Sequence, residues 1–167
     1  SCFSVLLPLP RIESDPASIA DATSSTPTMR VLVVEDNPVN QLVARKLLRS
    51  LDLEVTVVDE GREAIAAVAA KSFDLVFMDL QMPGLDGYET TRALRSEVHY
   101  QGPVVAMTAH ATQTHRDRCR NTGMNGFVTK PLERKRLADL LDGLPAVGGE
   151  SVEWLWLEPA DNRPLMT

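Results

Sequence analysis

Residues 31–58 read VLVVEDNPVNQLVARKLLRSLDLEVTVV. An apolar run, Val31–Val34, precedes a segment with apolar residues at helical spacing, from Val39 to Leu51, and a second apolar run, Val55–Val58, follows. Apolar runs without in-out alternation are typical of strands that are covered on both faces, as in parallel sheets. The stretch therefore predicts a strand–helix–strand unit of an α/β domain.

The same pattern continues along the chain. Further apolar runs are Leu75–Met78, Val104–Met107 and Phe127–Val128, and helical spacing recurs over Arg62–Ala70, Tyr88–Ser96, Thr114–Asn121 and Leu137–Leu144. Right-handed crossovers between parallel strands place helices on both faces of such a sheet. We predict an α/β domain of three layers, with a doubly wound five-stranded parallel sheet and (βα)5 connectivity. The order of the strands does not follow from the sequence.

Composition limits the classes of function. The 167 residues are 44% hydrophobic and 24% charged, as in a soluble globular protein, and the formal net charge of -6 argues against nucleic acid as a partner. Cys2 and Cys119 lie far apart without a CxxC pattern, so we expect neither a disulfide nor zinc, and a reducing, cytoplasmic setting. No apolar stretch reaches the roughly 20 residues of a membrane span, so we expect no membrane contact by this fragment. Membrane anchoring of a longer parent chain stays open.

Polar side chains follow four of the five predicted strands. They are Glu35 and Asp36 after the first, Asp79 after the third, Thr108 after the fourth, and Thr129 and Lys130 after the fifth. The carboxyl ends of parallel strands share one edge of the sheet, so these side chains should converge. Three crowded carboxylates repel unless a cation neutralises them, and a set of hard oxygen ligands suits Mg²⁺. Taken singly, each residue is better explained without a function, as a helix or turn cap for the acids, a strand or cap residue for Thr108 and a surface residue for Lys130; only the whole set favours a site.

Together, these residues favour a site for phosphoryl transfer. Asp79 would attack the phosphoryl group, while Thr108 and Lys130 would meet the charge on its equatorial oxygens. Four motifs then carry a resemblance: VLVVEDN at 31–37, MDLQMPGLDG at 78–87, AMTAH at 106–110 and FVTKP at 127–131. Over residues 29–144 the chain resembles a response-regulator receiver domain of two-component signalling, which has a flavodoxin-like fold.

The resemblance implies a role for each matching residue. Asp79 is the phosphoacceptor; Glu35, Asp36, Asp79 and the backbone carbonyl of Gln81 hold Mg²⁺; Thr108 and Lys130 bind the phosphoryl group. Thr108 and Phe127 are switch residues, Gln81 and His110 tune the lifetime of the phosphate, and the Lys130–Pro131 bond is cis. For Phe127 the alternative is plain core packing, and for His110 it is an exposed residue at the start of a helix.

The flanks suggest a larger context. Residues 1–10, SCFSVLLPLP, resemble the last strand of a histidine-kinase ATP-binding domain, with an ordinary extended segment as the alternative. Residues 11–28 are interpreted as a linker and 145–167 as a C-terminal tail. This chain is then the C-terminal receiver of a hybrid sensor histidine kinase. We expect no kinase activity in the fragment, which would catalyse only its own phosphorylation and dephosphorylation.

The expected function is that of a phosphorelay receiver. Asp79 takes a phosphoryl group from a phosphohistidine of a kinase core on the same polypeptide and relays it to a histidine-phosphotransfer protein. That partner is expected to dock on the rim around Asp79 and on the first helix, at Asn37, Pro38, Asn40 and Gln41. The alternative is a degenerate receiver that binds proteins without phosphorylation. A haloacid-dehalogenase phosphatase is disfavoured because Gln81 stands where that family needs a second acid.

Overall fold

The computed structural model describes residues 28–144. The predictions for residues 1–10, for all but the last residue of the 11–28 linker and for residues 145–167 fall outside this range. Strands and helices alternate as β1 (Arg30–Val34), α1 (Pro38–Arg49), β2 (Glu54–Val58), α2 (Gly61–Ala70), β3 (Leu75–Asp79), α3 (Gly87–Ser96), β4 (Val104–Thr108), α4 (Gln113–Thr122), β5 (Gly126–Thr129) and α5 (Arg134–Asp142). The predicted five strands and five helices are confirmed. Among the described residues, no helix is long and apolar enough to cross a membrane.

The five strands form one parallel sheet in the order β2-β1-β3-β4-β5. From β1 the chain moves outward to β2 and then crosses back to β3. The strand order therefore reverses between β1 and β3, which is the place where open α/β sheets bind ligands. Glu35 and Asp36 follow β1, and Asp79 is the last residue of β3.

Each face of the sheet carries its own hydrophobic core. On one face Leu32 and Val76 pack in a cluster that includes Leu94 of α3 and Cys119 of α4. On the other face the core combines alternate strand residues with α1 and α5: Val31, Val33, Leu75, Phe77, Ala44, Leu48, Leu137 and Leu140. Helices α1 and α5 thus cover one face and α2 to α4 the other, which confirms the three-layer, doubly wound architecture.

The apolar residues at helical spacing in α1 are covered only in the later turns of the helix. Ala44 and Leu48 are buried, whereas Val39, Leu42 and Val43 are 67%, 52% and 41% exposed. In the first two turns of α1 these three side chains therefore face solvent and form an uncovered apolar strip. Strand β2 also departs from the prediction of two covered faces, because as an edge strand it is only half-buried.

The start of α3 lies against the end of β3. A Cβ atom at Gly87, the first residue of α3, would lie 2.1 Å from the backbone oxygen of Asp79. Only glycine permits this approach. Asp86 caps the helix, since its side chain accepts from the Glu89 N–H and the Glu89 side chain accepts from the Asp86 N–H.

Candidate functional site

Three carboxylates meet at the carboxyl ends of β1 and β3. Oxygen atoms of Glu35, Asp36 and Asp79 all lie within 4.8 Å of one another. Glu35 and Asp79 are buried and Asp36 is exposed. The sequence predicted that strand ends would gather these residues, and the structure brings them together at the reversal point of the sheet.

Lys130 connects the two buried carboxylates. Its Nζ atom lies 2.7 Å from Oε2 of Glu35 and 2.8 Å from Oδ2 of Asp79. Partial burial lowers the pKa of Lys130, but hydrogen bonds and charges from Asp79 and Glu35 outweigh it, so the pKa is raised above its ordinary value. Lys130 is therefore charged at neutral pH.

The charges and donor atoms of this cluster fit a divalent cation. Three carboxylates facing one ammonium leave two formal negative charges within a few ångströms of one another. Their ligand atoms are hard oxygens, as Mg²⁺ prefers. Glu35, Asp36 and Asp79 are the residues that could hold such an ion.

The loop after β3 also contacts the acceptor carboxylate. The backbone N–H of Gln81 donates to Oδ1 of Asp79 at 3.1 Å, and the Gln81 side chain is exposed. Both oxygens of Asp79 thus have a donor, Gln81 N–H on one and Lys130 on the other. This holds the carboxylate in one orientation.

Thr108 lies at the end of β4, beside β3, but its hydroxyl bonds to its own loop. Oγ1 donates to the His110 carbonyl at 2.9 Å and accepts from the His110 N–H at 3.1 Å. The side chain of Thr108 is buried and His110 is exposed. To contact a phosphoryl group on Asp79, the hydroxyl would have to leave these two bonds.

Phe127 is buried in the same core as α3 and α4, and the Arg116 guanidinium lies 5.0 Å from the centre of its ring. The Lys130–Pro131 peptide bond is cis. Between α4 and α3, Nδ1 of His115 lies 3.0 Å from the hydroxyl oxygen of Tyr88. These residues link β5, α3 and α4 on one side of the site.

The first turn of α1 points its amides inward, which corrects the expectation that Asn40 and Gln41 present them to a partner. Nδ2 of Asn40 donates to Oε1 of Glu35 at 2.9 Å. Nε2 of Gln41 donates to the Glu35 carbonyl at 2.7 Å and to Oδ1 of Asp59 at 2.6 Å. Sequence reasoning missed this role and missed Asp59. The sequence did offer a signal for Asn40 and Gln41, because amide side chains about one helical turn beyond a strand-end acid can reach back to that acid.

Comparisons with known proteins agree on one family. The family model described as response regulator receiver domain matches residues 31–142. The sensor histidine kinase GacS of Pseudomonas protegens is 40% identical over 135 residues, which are 78% of this chain and 14% of that protein. The chain thus spans about a seventh of the length of this curated relative.

Two solved structures are similar in fold and sequence. One is the receiver domain of a sensor histidine kinase of Pseudomonas aeruginosa with a magnesium ion coordinated in its active-site cleft; the TM-score is 0.64 and the identity 40%, covering 69% of this chain and 95% of that one. The other is the co-crystal structure of the Saccharomyces cerevisiae histidine phosphotransfer protein Ypd1 with the receiver domain of its downstream response regulator Ssk1. Its TM-score is 0.66 and its identity 28%, covering 70% of this chain and 88% of that one.

Proposed function

Because the chain belongs to the response regulator receiver domain family, we propose that Asp79 accepts a phosphoryl group from a phosphohistidine and that the group then passes to a histidine-phosphotransfer protein. The observation that carries the proposal is the buried Asp79 carboxylate, held 2.8 Å from the Lys130 ammonium and beside Glu35 and Asp36. A nucleophile, a cation and two further acids meet where the strand order reverses.

The transfer follows from this arrangement. A carboxylate oxygen of Asp79 attacks phosphorus as the bond from phosphorus to the imidazole nitrogen breaks, and that nitrogen keeps the bonding electron pair. Lys130, which contacts Asp79 in the resting site, would follow the charge onto the phosphoryl oxygens. Thr108, one strand away, would supply its hydroxyl after releasing His110.

The proposed metal is Mg²⁺, held by Glu35, Asp36 and Asp79 together with the backbone carbonyl of Gln81. When bound, it would neutralise negative charge on the carboxylates and on the incoming phosphoryl group. Two observations support it: the surplus of two negative charges in the cluster, and the magnesium ion in the similar receiver from Pseudomonas aeruginosa.

Gln81 and His110 are proposed to govern access of water to the phosphate. Phe127 is proposed to change position when Thr108 moves.

The proposed docking surface is the apolar strip on α1, formed by Val39, Leu42 and Val43. These side chains are exposed, and they belong to the same first two turns of α1 as Asn40, whose amide contacts Glu35 of the acidic site. Exposed apolar side chains next to a reactive group mark an interaction surface. The similar Ssk1 receiver was solved with a histidine-phosphotransfer protein, which supports this class of partner. The phosphoryl donor is proposed to be a kinase core on the same polypeptide, as the relation to GacS suggests.

The test of the acceptor is intact mass after incubation with acetyl phosphate and Mg²⁺. We expect one phosphate adduct on the wild-type chain, and none on Asp79→Asn or in the presence of a chelator. No adduct on folded wild-type protein, combined with none after incubation with a phosphorylated histidine-phosphotransfer protein, would overturn the proposal. It would favour the alternative of a receiver that binds proteins without phosphorylation.

The docking surface has a separate test. Leu42→Glu should slow transfer from a phosphorylated histidine-phosphotransfer protein while leaving phosphorylation by acetyl phosphate at the wild-type rate. Glu97→Gln, directly after α3, changes an exposed side chain outside the strip and serves as a control. Equal slowing with both phosphate donors would mean that the substitution damages the site itself.

A further inference from the structure

The carboxylate of Glu35 is held by two side chains, one on each oxygen. Oε2 pairs with Lys130 at 2.7 Å, and Oε1 accepts from Nδ2 of Asn40 at 2.9 Å, with a longer contact of 3.4 Å from the Asn37 backbone N–H. The Glu35 side chain is only 2% exposed, so little solvent is available to replace a lost donor. Asn40 and Lys130 together prevent the carboxylate from rotating.

Asn40 is itself held in place by the start of α1. Asn37 caps the helix by accepting from the Val39 N–H, and Pro38 occupies the first turn, which favours helical geometry there. The next residue, Gln41, bonds to the Glu35 carbonyl and to Asp59 at the end of β2. The first turn of α1 is thereby fixed to the ends of two strands.

A neutral amide suits this position. A second cation beside Glu35 would offset the negative charge that attracts a metal ion, and a carboxylate there would repel Glu35. An amide donor fixes the orientation and leaves the charge of the cluster unchanged. Donors of this kind behind a metal ligand typically contribute about 10-fold to 100-fold in metal affinity.

We infer that Asn40 is a positioning residue, which orients Glu35 for the divalent cation of the acidic site. The inference rests on the proposed Mg²⁺ site. It also gives α1 two functions on opposite faces: Val39, Leu42 and Val43 face outward, whereas Asn40 and Gln41 face the acids. Both faces belong to the same turns of one helix.

The test is a Mg²⁺ titration followed by backbone amide NMR shifts, with no phosphoryl donor present. Asn40→Ala should weaken Mg²⁺ binding by about tenfold or more, since loss of the amide frees Glu35 to rotate. Leu42→Ala, on the outward face of the same helix, should bind Mg²⁺ as the wild type does. Asn40→Ser is the second variant, should alanine prevent folding, and thermal unfolding monitors stability throughout.

The outcomes separate the two claims. Wild-type affinity in folded Asn40→Ala, or a tighter one, would overturn the positioning role and leave the proposed receiver function intact. If the wild-type chain does not bind Mg²⁺ at all, the metal part of the proposed function falls, and the positioning role falls with it. Equal weakening by Leu42→Ala would also count against Asn40, because the loss would then come from α1 as a whole.

Discussion

Lys130 Nζ lies 2.8 Å from Asp79 Oδ2, so the proposed acceptor is already paired with a cation before any phosphate arrives. Lys130→Met would leave the buried Glu35 and Asp79 carboxylates without their ammonium partner. We expect the free energy of unfolding without metal to fall by about 2 kcal/mol, below the usual cost of breaking a fully buried pair because Lys130 keeps some solvent contact.

Urea unfolding with and without Mg²⁺ measures this effect. Mg²⁺ should stabilise Lys130→Met more than it stabilises the wild type, since the ion would take over part of the neutralisation. Lys135→Met, on the exposed side of α5, is the matched control. Identical unfolding midpoints for the two lysine variants would contradict the account of Lys130.

Asp36 is expected to lower stability in the absence of metal. Its carboxylate lies within 4.8 Å of the other two acids and is exposed. Asp36→Asn removes one of three repelling charges, so without Mg²⁺ the protein should become more stable by about 1 kcal/mol, a value limited by solvent screening. Mg²⁺ affinity should fall in the same variant. In thermal unfolding over a Mg²⁺ series, Asp36→Asn should have the higher unfolding temperature without metal and the wild type the higher one at saturating Mg²⁺. If the variant is less stable than the wild type without metal, the repulsion argument is wrong.

Arg95 stabilises the side of the domain away from the acids. Its guanidinium donates to the carbonyls of Gly102 and Gly123 and to Oδ1 of Asn125. Lysine cannot form this fork, so Arg95→Lys should cost about 2 kcal/mol of unfolding free energy despite keeping the charge. Arg92→Lys, on the exposed face of the same helix, should change it little. Chemical denaturation measures the unfolding free energy of both variants. Equal losses in Arg95→Lys and Arg92→Lys would show that the hydrogen bonds of the Arg95 guanidinium do not stabilise the fold.

Tyr88 makes the fold sensitive to alkali. Burial, aided by Cys119 and Asp86 and opposed by Arg118, raises the pKa of Tyr88 to about 12. An unfolded tyrosine titrates near pH 10, so the stability that this shift provides is complete below about pH 10 and is lost as pH rises toward about 12. Lys130, whose pKa is also raised, acts in the same direction.

The measurement is stability against pH from about 8 to about 11.5, across the range where a free phenol ionises. Tyr88→Phe should show a shallower loss than the wild type. The absorbance of tyrosinate should also rise only at a higher pH than for free tyrosine, since burial raises the pKa of Tyr100, the other tyrosine of the chain, as well. A phenol that ionises near its ordinary pKa in the folded protein would contradict the burial argument.

Local pattern was sufficient for the elements of the fold. The run Val31–Val34 and its counterparts predicted strands because side chains covered on both faces must all be apolar. The strand order was not predictable, since pairing of β1 with β3 joins segments that are far apart in sequence. The half-buried state of β2 follows from its edge position in that order, so it could not be predicted from the sequence either.

The acids of the site were predictable for the same reason, because they follow directly from the strand ends. Their supports were not. Asn40 and Gln41 are polar residues on a helix that also carries Val39 and Leu42, so apolar spacing did not show that the two amides face the acids while the apolar pair faces solvent. Arg95 left no signal, because most of its acceptors are backbone carbonyls that any residue provides.

Strand β3 bonds to a neighbour on each side, β1 and β4, and Asp79 is its last residue. A strand with two partners cannot slide without breaking both ladders. We therefore expect the backbone amides of β3 to exchange with deuterium only in globally unfolded molecules, before and after phosphorylation alike. The centre of the sheet acts as a fixed reference frame, so we expect structural change on modification to appear in the loop between β4 and α4 and in the side chains of Thr108 and Phe127.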